Sequence, residues 1–208
     1  MMPTEKKNIL IPISEQNPKV RERIEQAAIE VLSQKEFHRV TLSEIANQAG
    51  ASLQTLYKYY GTKEAIRDAC VQSSLSKLAV RMFDHLQAIE TYKDKLRKVF
   101  WVVLEFCESE RQVTHMMINS VYPGNWGSDV TDSQKQLTNT FLTVLREGRE
   151  LGILTDKVSE LLLLDYIYGV LLRVCQMYAV RGAQESIVAQ APELFEMLWR
   201  SLAKHPDE

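Results

Sequence analysis

The chain has 208 residues, 45% of them hydrophobic, and its 25 Lys/Arg against 27 Asp/Glu leave a formal net charge of −2. That length accommodates a small domain plus a larger one, and so even a charge balance excludes a protein that coats nucleic acid without regard to sequence. No stretch approaches the roughly 20 uninterrupted apolar residues of a membrane span, and Cys70, Cys107 and Cys175 are too far apart in sequence for a metal-binding pair.

Residues 1–17 read as a flexible tail. The apolar run Ile9-Leu10-Ile11 is too short for a signal peptide and is broken by Pro12. Lys6 and Lys7 would suit a minor-groove arm, but a leading segment with prolines reads as disordered. Asn17-Pro18 then opens a helix, an N-cap followed by proline at the first helical position. Val20, Ile24, Ala27, Ala28, Val31 and Leu32 mark its apolar face down to about residue 34–37. Thr41-x-x-Glu44 is a capping box, and Leu42, Ile45, Ala46 and Ala49 recur behind it at helical spacing. Gly50 ends that helix, since a left-handed residue after the last turn is easy only for glycine. Ser52 caps a short helix over 53–59, and Thr62 caps the next.

Two stubby helices joined by a glycine turn are the parts of a helix-turn-helix, which sets its second helix in the major groove of DNA. The run from Arg21-x-x-Ile24-x-x-Ala27-Ala28, through Thr41-Leu42-x-x-Ile45-Ala46-x-x-Ala49-Gly50-Ala51-Ser52, to Thr55-Leu56-Tyr57-x-Tyr59-Tyr60-x-x-Lys63-Glu64 resembles the amino-terminal domain of the TetR family of transcriptional repressors. The likeness covers about the first quarter of the chain; beyond it, only length and helical layout agree. It implies an all-α protein with a helix-turn-helix domain over 18–62 and a helical effector-binding and dimerisation domain over 63–208. Charge divides accordingly: residues 1–63 hold nine Lys/Arg against seven Asp/Glu, and the remainder is acidic.

Side-chain chemistry suggests which residues meet DNA. Gln54 can pair bidentately with adenine, Lys58 can donate to guanine or to a phosphate, and Leu53 can touch a thymine methyl, with Tyr59 the fourth variable position. The resemblance implies that the hydroxyls of Thr55 and Tyr57 contact phosphates and that Lys63 clamps one, assisted by the positive end of its helix. Thr41 and Ser52, at the helix starts, complete the expected DNA-facing set.

Further helices are expected over 62–87, 92–108, 111–120, 129–151, 157–181 and from 186 or 192 to 204, with a turn-rich loop at 122–128. The segment from Leu161 to Cys175 is apolar nearly all round and needs cover on every side. A second copy is the simplest cover, so Leu164 and Leu171, with Leu194, Leu198, Trp199 and Leu202 of the last helix, are expected at a twofold interface. The resemblance also implies a cavity for a small, apolar or aromatic effector. Trp101, Glu105, Met116, Tyr122, Trp126, Phe141 and Tyr166 are its candidate lining, Trp126 as a lid. The chain lacks a phosphate loop, a nucleophile elbow and any His or Cys at metal spacing. The expectation is therefore a cytoplasmic, non-enzymatic homodimer that needs no cofactor or metal and no membrane. It would repress from a palindromic double-stranded operator and release it when effector binds; a ligand-independent dimer and an activator of the same fold are the alternatives.

Overall fold

Side chains at the helix starts fix most element boundaries. The computed structural model describes residues 10–12, 15–86, 91–120 and 132–206. Its helices are α1 (Pro18–Gln34), α2 (Leu42–Ala49), α3 (Leu53–Tyr59), α4 (Lys63–Leu86), α5 (Tyr92–Ser109), α6 (Arg111–Ser120), α7 (Asp132–Glu150), α8 (Glu160–Val180) and α9 (Ala191–Leu202). Asn17 caps α1, Thr41 and Glu44 close both halves of the capping box on α2, Ser52 caps α3, and Gly50 ends α2 at φ 57°. Helix α8 starts at Glu160, later than the expected residue 157, because Ser159 caps it, accepting from the Leu162 amide.

The chain divides into two compact units, Met1–Ser73 with His115–Asn125, and Ser74–Thr114 with Trp126–Glu208. The boundary therefore falls within α4, not at residue 62. The reason is packing: Ile66 and Cys70 are fully buried, and the Cys70 thiol donates to the Glu25 carbonyl at 3.6 Å. In this unit α1 buries Ile24, Ala27, Ala28 and Leu32, α2 adds Ile45, Ala46 and Ala49, and α3 adds Leu56. Small residues at 46 and 49 let the helices approach closely. The Tyr60 hydroxyl donates to the Glu25 carboxylate at 3.0 Å, and burial, then that carboxylate, holds the phenol far above its usual range. Asn119 of α6 donates to the Leu32 and Ser33 carbonyls, two of the acceptors that the end of α1 leaves open.

In the second unit, α5, α8 and α9 surround a core of Leu96, Phe100, Leu104, Leu163, Leu164, Leu171, Phe195 and Leu198. Phe195 sits 5.9 Å from Phe100 and stacks on Trp199 at 6.2 Å. The Tyr92 ring crosses α7 at Gly148, where a Cβ would lie 2.4 Å from it, and its hydroxyl donates to the Val144 carbonyl. An antiparallel bridge, Leu154 to Ala203, ties the residues after α7 to the end of α9.

The residues expected at a twofold interface prove to be core. Leu164, Leu171, Leu198, Trp199 and Leu202 are buried within the chain's own second unit, and Leu194 is packed against the same core. Helical phase explains the error: 164 and 171 lie seven residues apart and so share the inward stripe of α8. The apolar surplus of α8 is on the opposite stripe, where Leu161, Leu162, Tyr166, Leu172 and Val180 are exposed. On α9, Met197 is 71% exposed. Helix α8 is also long and apolar enough, by length and composition, to cross a membrane, with a mean hydropathy of 1.4. Its inward stripe is nevertheless integral to the core.

Candidate nucleic-acid interface

At 100° per residue, the seven residues of α3 sort onto two sides. Leu53, Tyr57, Gln54 and Lys58 fall within one 140° sector, and all four are exposed. Leu56, at 0% exposure, points the other way and anchors the helix in the core. The cap at the start of α3 is double. The Ser52 hydroxyl oxygen accepts from the Thr55 amide at 3.1 Å and lies 2.8 Å from the Thr55 hydroxyl. Thr55 thus sits at the edge of the open side with its hydroxyl already in a pair.

Tyr59 departs from the expectation that it shares the open side. It is half-buried, and its hydroxyl accepts from the Asn17 amide at 3.2 Å, at the start of α1. Position 59 falls on the Leu56 side of the helix, so a base-reading role conflicts with its direction. The tail expected through residue 17 is likewise fixed from Leu10 onward among the described residues. The Ile11 amide donates to the Lys58 carbonyl at 2.8 Å, and the Gln16 amide nitrogen donates to the carbonyls of Ile11 and Tyr59, each at 3.0 Å. Lys6 and Lys7 lie outside the described residues.

The start of α2 carries a tightly held carboxylate. Lys35 at 2.6 Å and the Thr41 backbone amide at 2.9 Å hold the Glu44 carboxyl down to about 2, so its half of the capping box is ionised at neutral pH. Lys63, expected to clamp a phosphate, is held here by backbone carbonyls. Its ammonium donates to the carbonyls of Val40 at 2.9 Å, Phe37 at 3.1 Å and His38 at 3.4 Å, and lies 4.7 Å from the centre of the Phe37 ring. Three acceptors take all three of its N–H donors. A phosphate would reach this side chain only by displacing one of them, whereas the amides at the start of α4 stay close by.

Five of the seven candidate effector residues are described, and they have different surroundings. Glu105 is paired with Arg81 at 3.0 Å. Phe141 meets Tyr168 edge-on at 5.7 Å, and burial pushes the Tyr168 phenol up to about 12. Met116 is fully buried in the other compact unit, Tyr166 is 48% exposed, and Tyr122 and Trp126 lie outside the described residues. Trp101, capped by the Lys98 ammonium at 4.1 Å, borders an open hollow of about 300 Å³ with Asp94, Arg97, Lys98, Ala191 and Pro192. Periodicity finds apolar helices but does not say which side turns inward when nearly every side is apolar. The sequence spacing of the cysteines is similarly uninformative: the thiols of Cys107 and Cys175 meet in a hydrogen bond, which together with burial drives Cys175 far up.

Sequence reasoning missed Gln16, Asn119 as a cap, and the carbonyl cluster around Lys63. Each joins residues at least 23 positions apart, and a side chain's remote backbone partner leaves no mark in local pattern.

Known proteins resemble both the sequence and the architecture. The chain is 22% identical over 188 residues to the fatty acid metabolism regulator protein of Bacillus subtilis, across 89% of this chain and 96% of that one. Its fold is that of the fatty acid degradation regulator FadR of Bacillus halodurans, with a TM-score of 0.79 at 18% identity over 88% of this chain and 96% of that one. The transcriptional regulator FadR of Bacillus subtilis, solved in complex with stearoyl-CoA, superposes with a TM-score of 0.74 at 20% identity over 86% of this chain and 98% of that one. Residues 24–70, which span the capped helices and the open side of α3, match the model for bacterial regulatory proteins of the tetR family.

Proposed function

We propose that the chain is a homodimeric, effector-responsive repressor that reads a palindromic operator through α3. The observation that carries this reading is the exposed sector of Leu53, Gln54, Tyr57 and Lys58 on a helix whose other side is locked into a small core. Those four offer an apolar contact, a bidentate amide, a hydroxyl and a cation, a set suited to base edges and phosphates together. Twofold pairing would present two such helices to successive turns of the duplex. The exposed apolar stripe of α8, with Met197 of α9, supports pairing through these helices. Effector binding in the second unit would favour a conformation with the two α3 helices out of register, and differential affinity of a few kcal/mol is enough to empty a site.

The effector chemistry to test first is a long-chain acyl thioester. Support comes from the Bacillus subtilis regulator crystallised with stearoyl-CoA and from the aromatic and aliphatic content of α5, α7 and α8. Genomic fragments selected by the purified protein should share an inverted repeat, and stearoyl-CoA should release them. A selection that returns no shared repeat would sink the reading. Among the candidate effector residues, Glu105 is already paired with Arg81 and Met116 belongs to the amino-terminal unit, which favours a second reading, a ligand-independent dimeric regulator; binding unmoved by every acyl-CoA and aromatic compound would support it. A cytoplasmic location follows from either.

A further inference from the structure

The carboxyl end of α3 is closed only in part by its own backbone, where the Tyr60 amide donates to the Leu56 carbonyl at 2.9 Å. Carbonyls in the last turn of a helix have no partner within it, and here Lys58 and Tyr59 give theirs to residues more than forty positions upstream. The Ile11 amide takes the first, and the Gln16 side chain bridges the second to the Ile11 carbonyl. The Tyr59 hydroxyl, accepting from Asn17, closes the same circuit from the other side, and Leu10 lies against Gly61 just beyond the helix. Gln16 is 6% exposed, and the orientation of its amide is dictated by its partners: both are carbonyl oxygens, so only the NH2 group can face them.

We propose that residues 10–12 and 15–17 form a strap that sets the direction of the last turn of α3, and with it the Lys58 side chain, and that Gln16 is the positioning residue of this strap. Gln16 does not touch DNA in this arrangement; it acts through the two carbonyls it holds. The inference rests on the reading of α3 as the groove-facing helix. Its discriminating variant is Gln16→Glu, which keeps shape and volume but replaces two N–H donors with carboxylate oxygens facing carbonyl oxygens. Gln16→Ala is the second variant, removing the bridge without adding charge.

The test uses the full-length chain on a duplex selected by the wild type. Affinity is measured for that duplex and for a panel with each base pair changed in turn, beside amide hydrogen exchange and thermal melting. Both variants are expected to lose about tenfold in affinity for the selected duplex, with discrimination flattened at the base pairs that Lys58→Ala also flattens. Exchange should quicken in the last turn of α3 while α1 and α2 stay protected. A general loss of stability would instead lower affinity for every duplex alike with discrimination intact, and would overturn the proposal. Variants that match the wild type in discrimination and exchange overturn it as well. A wild-type chain that prefers no duplex sinks the groove reading itself, whereas the exchange measurement judges the strap independently of DNA.

Discussion

Gln54 and Lys58 are neighbours on the open side of α3 but suit different partners. Replacing Gln54 with Ala is expected to cost about 1–3 kcal/mol at a single base pair and to leave the others unchanged; an equal loss on all duplexes would mean that it reads no base. Lys63 gives the opposite signature. Its ammonium is committed to the carbonyls of Phe37, His38 and Val40, so Lys63→Met should lower the melting temperature of the amino-terminal unit and leave the salt dependence of DNA affinity unchanged. A fall of about 0.9 in the log–log salt slope would reveal a phosphate contact instead. Glu44 has a folded pKa of about 2 against an ordinary 4.5. Its ionised form therefore stabilises the fold fully above pH 4.5, and that contribution is lost as pH falls toward 2. Helicity of the wild type should decline across this window, and Glu44→Gln should remove that part of the pH dependence.

Close approach of elements gives the second set of expectations. Tyr92 of α5 occupies the space that a side chain at Gly148 of α7 would need. Because Tyr92 is buried and its hydroxyl is bound to the Val144 carbonyl, the ring has little room to retreat, and Gly148→Ala should destabilise the second unit by about 1–3 kcal/mol in urea unfolding. Elements of this kind were legible in the sequence wherever a local rule governs them. The caps at Asn17, Thr41 and Ser52 and the glycine at 50 placed α1, α2 and α3 within a residue or two, because a helix end must satisfy its own amides with nearby side chains. Direction was not legible. Local pattern sets Tyr59 on the reading side, whereas its hydroxyl lies on Asn17, and it offers Leu164 and Leu171 to a second copy, whereas both are core. In both cases the decisive partner is remote in sequence. The effector residues have the same limit: aromatic content marks helices that bury much area, without locating a cavity among them.

For the molecule as a whole, the exposed stripe of α8 is the feature that most needs a partner. Leu161, Leu162, Tyr166, Leu172 and Val180 recur along one side, and at Gly169, in the middle, an added Cβ would meet nothing within 4 Å. Such an exposed apolar stripe, interrupted by Asp165 and Arg173, suits an interaction site, and the small residue leaves room for close helix crossing. Replacing Leu162 and Leu172 together with Glu is expected to give a folded monomer by sedimentation that no longer holds its selected duplex. A dimer that survives both changes would place the interface elsewhere. Where that stripe is covered by a second copy, abundance enters the regulatory response as a square. Below the dissociation constant of the pair, halving the cellular pool would leave about a quarter of the DNA-competent species. Modest changes in synthesis or turnover would then shift gene expression as strongly as a metabolite does.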